Sequence, residues 1–227
     1  MLELGLEELL KTVNRDIYPE NEYKYGQWDY QVVYEEMPEK VTKQFDDNVE
    51  KATKLLYSKG NPATFGKPAR TSDVTKDGGW FGGKTGAELM DIPLEYTVFR
   101  KGSLEGVYKV VVDGLKKNGY WGATAYYRNH KANREYNLKA KDGAKLDMPV
   151  LFIDARYDGV CASNDDLKKS GFNVMTPMRE LCSNYTETSI EAGHWVAMEK
   201  YEETNAAIAG WLLKQVPGWP GPKEIKL

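Results

Sequence analysis

The chain has 227 residues, 41% hydrophobic and 29% charged, with a formal net charge of −3 at pH 7. That balance suits one globular domain or two small ones, and the slight acidic surplus gives no electrostatic reason to expect a nucleic-acid partner. Apolar runs stop at about half a dozen residues, too short to cross a bilayer, and no basic segment followed by an apolar stretch opens the chain. A cytoplasmic location without a membrane partner is the expectation. Cys161 and Cys182 lack metal-ligand spacing and are expected to be free thiols; no metal or cofactor is expected. Asn184-Tyr185-Thr186 matches a glycosylation acceptor, but without entry to the secretory pathway it has no expected use.

Leu2, Leu6, Leu9, Leu10 and Val13 recur at helical spacing and predict an amphipathic helix from almost the first residue. Asp16 to Tyr30 is dense in Tyr, Pro and Asn, with Pro19 and Gly26 as breakers, and should be irregular and held by aromatic packing. From Glu39 to Lys59 the apolar positions Val41, Phe45, Val49, Ala52, Leu55 and Leu56 share one helical face, with Pro38 ahead of it and Gly60 closing it.

Asn61 to Pro93 is loop-like. Within it, Gly78-Gly79-Trp80-Phe81-Gly82-Gly83-Lys84-Thr85 matches the phosphate-loop pattern letter for letter. The chemistry asks for more: a buried strand before the loop to fix it, and a helix after it whose N-terminus meets the phosphates. Lys67 to Asp77 is polar throughout, Pro93 interrupts the segment after the loop, and a Trp and a Phe sit where backbone amides must approach a ligand. The stretch is read as an aromatic-anchored connecting loop. Ser103 can cap a helix carrying Leu104, Val107, Tyr108, Val111, Val112 and Leu115, with Gly119 past its end. A further helical stretch runs from Tyr126 to about Asn137. No parallel-sheet pattern appears in the first 140 residues.

The character changes at about Ala144. Pro149 to Ala155 is a continuous apolar run of strand length, as for a strand buried on both faces of a parallel sheet. A loop and a short helix come next, around Met178 to Cys182. Tyr185 to Ile190 is β-prone, and Gly193-His194 then turns into a helix carrying Ala197, Tyr201, Ile208, Trp211 and Leu212, ended by Pro217 and Pro220. A strand running into the acidic loop Arg156-Tyr157-Asp158, with a glycine-His turn 36 residues later, is how the acid and the base of a nucleophile–acid–histidine triad are laid out.

Several stretches together carry a resemblance. They are Gly26 to Gln31, Asp77 to Gly83, Tyr126 to His130, Asp147 to Phe152, Ala155 to Asp158, and Gly193-His194-Trp195. In this order, over nearly the whole chain, they resemble the lid and C-terminal part of an epoxide hydrolase of the α/β-hydrolase fold, fungal versions in particular. The fold this implies is α/β, an α/β-hydrolase remnant: a mostly helical lid over residues 1–143, the last two core strands with their helices over 144–216, and a tail over 217–227. The implied reaction takes an epoxide and water to a vicinal diol through an aspartyl ester, with a small-molecule epoxide as partner. Tyr30 and Tyr127 would be the lid tyrosines on the epoxide oxygen, Asp158 the supporting acid and His194 the base. A phenol is neutral at pH 7 yet a good donor, which suits charge that appears only in the transition state. A histidine titrates near neutrality, and the acid fixes its tautomer. Tyr126, where the family usually has Trp, is the alternative to Tyr127; Asp154, at the strand end, is the alternative to Asp158; His130 is read as a surface or lid residue.

The chain departs from that pattern in one respect. No nucleophile elbow precedes these stretches, nor the turn that helps to shape the site, so the nucleophile-bearing half is expected to be absent and the isolated chain inactive. A strand without its neighbours leaves unpaired backbone amides and exposed apolar side chains. Two other readings stand beside this one: a non-catalytic interaction protein that self-associates through an exposed sheet edge, and a remnant of an ester or haloalkane hydrolase.

Overall fold

The apolar spacing from Val41 to Leu55 does turn one face inward, on two helices rather than one. The structure is a computed structural model and describes residues 6–84, 88–99, 104–161 and 176–219. In it α3 (Pro38–Asp46) and α4 (Val49–Leu56) part at Asp47-Asn48. Asp and Asn side chains compete with the helix for backbone groups. Here Asp46 accepts the Tyr120 backbone N–H at 2.8 Å, and the Asn48 amide donates to the Gln44 carbonyl at 3.0 Å. Pro38 sits in the first turn of α3 as expected.

The first helix is shorter than its spacing suggests. Helix α1 covers Leu6–Leu10, and the chain then turns, because the Thr12 hydroxyl donates back to the Leu9 carbonyl at 2.7 Å and accepts the Trp28 indole N–H at 3.0 Å; Leu2 lies outside the described residues. Gly26, at φ +54°, lets the next turn press on Val13, whose methyl would stand 2.3 Å from any Cβ placed there. Helix α2 (Asp29–Glu36) has no counterpart in the sequence pattern, and it takes Tyr30 out of the irregular stretch. Gln31, Val32, Val33 and Tyr34 are all buried on it, so no period of apolar and polar residues marks it.

Helix α5 (Glu105–Asn118) ends at Gly119, with φ +71°, as expected; Ser103 lies outside the described residues. A short helix, α6 (Trp121–Thr124), comes before the helical stretch expected from Tyr126, which is divided into the end of a 3-10 turn at Ala125–Arg128 and α7 (His130–Asn137). Val33, Tyr34, Val41, Phe45, Ala52, Val112 and Tyr120 form one apolar core among these helices. Phe45 is wholly buried, within 6.4 Å or less, centroid to centroid, of the rings of Tyr34, Trp80, Phe81 and Tyr120. The glycine-rich segment is a run of turns through Lys84, with no strand before it. Trp80 and Phe81 face this core, as an aromatic-anchored loop requires; Thr85 lies outside the described residues.

Two parallel strands complete the described fold: β1 (Leu146–Ala155) and β2 (Cys182–Ile190), in register from Val150 opposite Tyr185 to Ala155 opposite Ile190. Each begins three residues ahead of the sequence expectation. Burial of β1 on both faces is not found among the described residues: Met148 is 61% exposed, Val150 to Ile153 are half-buried, and only Asp154 and Ala155 are buried. The strand has one described neighbour, and α8 (Thr176–Leu181) and α10 (Tyr201–Gln215) pack beside the pair. The helix expected after His194 is broken at Lys200 into α9 (Val196–Glu199) and α10. Cys161 and Cys182 are free thiols. Among the described residues no helix is long and apolar enough to cross a membrane.

Candidate active site

The two strands deliver two loops to one place. Past the last ladder pair, the Arg156 N–H still donates to the Ile190 carbonyl at 2.9 Å, and the Tyr157 N–H to the Ala192 carbonyl at 2.8 Å. The loop with Asp158 and the turn with His194 therefore leave the sheet side by side. Asp158 Oδ1 accepts the backbone N–H groups of Val160 and Cys161 at 2.8 and 3.2 Å, and its Oδ2 lies 2.9 Å from His194 Nδ1. Asp158 is buried, whereas the His194 side chain is 53% exposed.

Burial alone would push the Asp158 carboxyl up; the His194 imidazole and the two backbone N–H groups outweigh it and hold the carboxyl below its ordinary value. The hydrogen bond to Asp158 raises the His194 imidazole above its ordinary value, against the opposing effect of burial. With Nδ1–H donated to a carboxylate, the neutral ring carries its lone pair on Nε2. Among the described residues nothing else hydrogen-bonds the His194 side chain. Asp154, the alternative acid, is buried in the sheet, where it accepts the Ser189 hydroxyl at 2.9 Å.

Tyr30 belongs to two packed clusters at once, the lid core and the group of Val13, Tyr18, Trp28, Phe152 and Cys161. Its ring meets that of Tyr127 edge-on at 5.6 Å, and Tyr127 stacks on Tyr34 at 4.7 Å. Tyr126 is 59% exposed, so of the two adjacent rings Tyr127 is the one packed inward beside Tyr30. The Tyr30 hydroxyl accepts from the Gln31 amide at 3.1 Å and is hydrogen-bonded to the Tyr127 hydroxyl. Burial pushes Tyr30 well above the ordinary phenol value and Tyr127 upward as well; both are neutral donors at pH 7.

Cys161 lies on the acid loop: its N–H binds Asp158, and its thiol-bearing side chain packs against the Val13–Tyr18–Trp28 cluster that Tyr30 also meets. Burial, with Asp158 adding to it, pushes that thiol up to about 12, which keeps it protonated and unsuited to be a nucleophile. Sequence reasoning missed Tyr18, whose hydroxyl donates to the Gly159 carbonyl at 3.2 Å and accepts the Ala69 N–H at 3.1 Å, tying a lid loop to the acid loop. Among many tyrosines no local signal marks it. Gln31 could have been found, being the next letter of the stretch that marked Tyr30. His130, read as a surface or lid residue, is not at the surface: it is buried at the start of α7. Among the described residues no group of three acidic, Cys or His side chains could hold a metal.

A helical lid over parallel strands, with acid and histidine on the loops after consecutive strands, is the arrangement of the α/β-hydrolase fold. The solved structures share the fold: epoxide hydrolase A of Mycobacterium thermoresistibile superposes with a TM-score of 0.55 at 20% identity, over 81% of this chain and 51% of that one. Potato epoxide hydrolase I does so with a TM-score of 0.53 at 20% identity, over 92% of this chain and 56% of that one. In sequence the chain is 28% identical over 105 residues to bifunctional epoxide hydrolase 2 of Rattus norvegicus, 46% of this chain and 17% of that protein. It is 28% identical over 101 residues to epoxide hydrolase B of Mycobacterium tuberculosis, 43% of this chain and 26% of that protein. No protein-family profile matches the chain. The matched region is thus about a sixth to a quarter of these curated relatives and about half of the solved structures. The sequence matches are to epoxide hydrolases, and the fold is of the α/β-hydrolase kind, helix-rich with a two-stranded parallel sheet among the described residues.

Proposed function

We propose that this chain carries the lid and the acid–base half of an epoxide hydrolase of fungal type, with residues 1–143 as lid and 144–216 as core. The observation that supports this most is the joining of Asp158 to His194 by a 2.9 Å hydrogen bond while Cys161, on the same loop, packs against the cluster that Tyr30 also meets. In the proposed reaction a carboxylate opens the epoxide at carbon. Tyr30 and Tyr127 donate hydrogen bonds to the departing oxygen, and their raised values match a donor that stabilises an alkoxide without losing its proton. His194 then takes a proton from water through Nε2, the hydroxide attacks the ester, and Asp158 stabilises the imidazolium.

The nucleophilic carboxylate is not among the described residues that contact His194, and the proposal holds that residues 1–227 alone do not turn over. The test is hydrolysis of styrene oxide, with p-nitrophenyl acetate and 1-bromobutane as competing chemistries. Residues 1–227 are compared alone and joined behind the pre-lid core of potato epoxide hydrolase I. Diol formation by the joined protein, falling by about 10³-fold or more in H194Q, is expected. Ester or haloalkane turnover in preference, or epoxide turnover indifferent to H194Q, would overturn the reading.

A further inference from the structure

Glu199, the last residue of α9, has no part in that reaction, yet two separate segments of the chain bind its carboxylate. Oε1 and Oε2 both accept the Gly193 N–H at 3.1 Å, and Oε2 also accepts the Gly60 N–H at 3.1 Å. Gly193 directly precedes His194, whereas Gly60 lies in the lid, just past α4. The two glycines touch back to back. A Cβ on Gly60 would fall 2.3 Å from the Gly193 nitrogen, and one on Gly193 would fall 2.5 Å from the Gly60 Cα. Both obstacles are backbone, so no rotamer change relieves them.

The residue on the other side of His194 is gripped from the same lid segment. The Trp195 indole donates to the Leu56 carbonyl at 2.8 Å, and its ring stacks on Tyr57 at 4.3 Å. His194 thus stands between two anchors, Gly193 and Trp195, each fixed to residues 56–60 of the lid. Acceptance of backbone N–H groups by a carboxylate is a charge-assisted contact, stronger than one between neutral groups.

We propose that Glu199 is a positioning residue: by bridging Gly60 and Gly193 it fastens the His194 turn to the lid, so that the seating of the lid sets how the imidazole meets Asp158. The proposal rests on His194 as the base. It makes the lid more than a cover, since a disturbance at Gly60 reaches His194 without touching it. The charged groups acting on His194 are Asp158, from the loop after β1, and Glu199, from α9.

The test reads the imidazole itself by nitrogen-15 NMR of the full chain, which has 2 histidines, H130N assigning the signals. The variants are G60A, E199Q, E199D and, as control, G114A in α5, where a Cβ meets nothing within 4 Å. G60A alters no charge and no group in contact with His194. It is expected to lower the His194 titration midpoint by about half a unit or more and to speed exchange of the Gly193 amide about tenfold, with G114A unchanged. E199Q, nearly isosteric, should release both the Gly60 and Gly193 amides, and E199D should recover part of their protection. A folded G60A with the wild-type His194 midpoint would overturn the proposal. If G60A does not fold, E199Q decides: unchanged protection of both amides overturns it and loss of protection sustains it. Because turnover is not the readout, failure of the epoxide reading and failure of this coupling are told apart.

Discussion

Phe45 in the lid and Phe152 in β1 are the same side chain in two different settings. Phe45 is wholly buried among four aromatic rings supplied by α2, the glycine-rich loop and the segment after α5. Phe152 is half-buried on a strand with one described neighbour. The lid closes a core on itself, whereas the sheet draws its order from backbone pairing between two strands and the helices beside them. The candidate site lies where the two meet, and each contributes a different kind of group. The lid gives neutral phenols held by packing; the strand ends give an acid and a base held by hydrogen bonds. Packed side chains fix a donor's position, while the continued pairing of Arg156 and Tyr157 with Ile190 and Ala192 fixes the register of two loops.

The contrast can be broken by truncation. F45A should cost about 3–5 kcal/mol by chemical denaturation followed through tryptophan fluorescence, the range for emptying a fully buried aromatic site. F152A should cost distinctly less, about 1–2 kcal/mol, because its side chain already meets solvent. Equal losses would mean that the sheet is as closed as the lid. Comparable to F152A is Y18F, which removes the one hydroxyl shared by Ala69 and Gly159; a cost of about 1–2 kcal/mol is expected, with faster exchange of the Ala69 amide as its local signature.

A smaller effect sharpens the electrostatic side of the comparison. The folded-state value of His194 lies above its ordinary 6.5. Its pairing with Asp158 therefore contributes stability that is fully present below about pH 6.5 and is lost as pH rises through the folded value. Asp158 has the opposite sign: its folded value is lowered, so its contribution is present above the ordinary carboxyl value and is lost as pH falls through the folded one. Denaturation midpoints between pH 5.5 and 9 should fall in wild type relative to H194Q, by a modest amount given the exposed imidazole. The smallest change expected is K43A, which removes an exposed pair with Asp47 and should move stability by no more than about 0.5 kcal/mol on the same denaturation curves.

Legibility in the sequence divides along the same line. The strands and the acid and histidine after them were legible because a buried-strand composition and a glycine-His turn are local signals; the actual strands only extend each reading by three residues. The helices of the lid were legible where one face is apolar, as from Val41 to Leu55. Helix α2 was not, since Gln31 to Tyr34 are buried in succession and the sequence carries no alternation. The breaks at Asn48 and Asn129 were lost for a related reason: there a side chain competes for the backbone, the Asn48 amide donating to the Gln44 carbonyl and the Asn129 amide to the Ala125 carbonyl. Choosing Tyr127 over Tyr126 required packing, since adjacent identical residues differ only in which side of the turn faces the core.

The claim on which the site depends is that Asp158 holds His194 in the tautomer and charge state of a general base. The measurement that meets it most directly is the nitrogen-15 titration of the His194 ring in wild type and in D158N. The expected result is a midpoint above 6.5 in wild type, with the neutral ring protonated at Nδ1, and a fall of about a unit or more in D158N. A wild-type midpoint at or below the ordinary value, unmoved by D158N, would contradict the claim and leave the two residues as neighbours without a shared function.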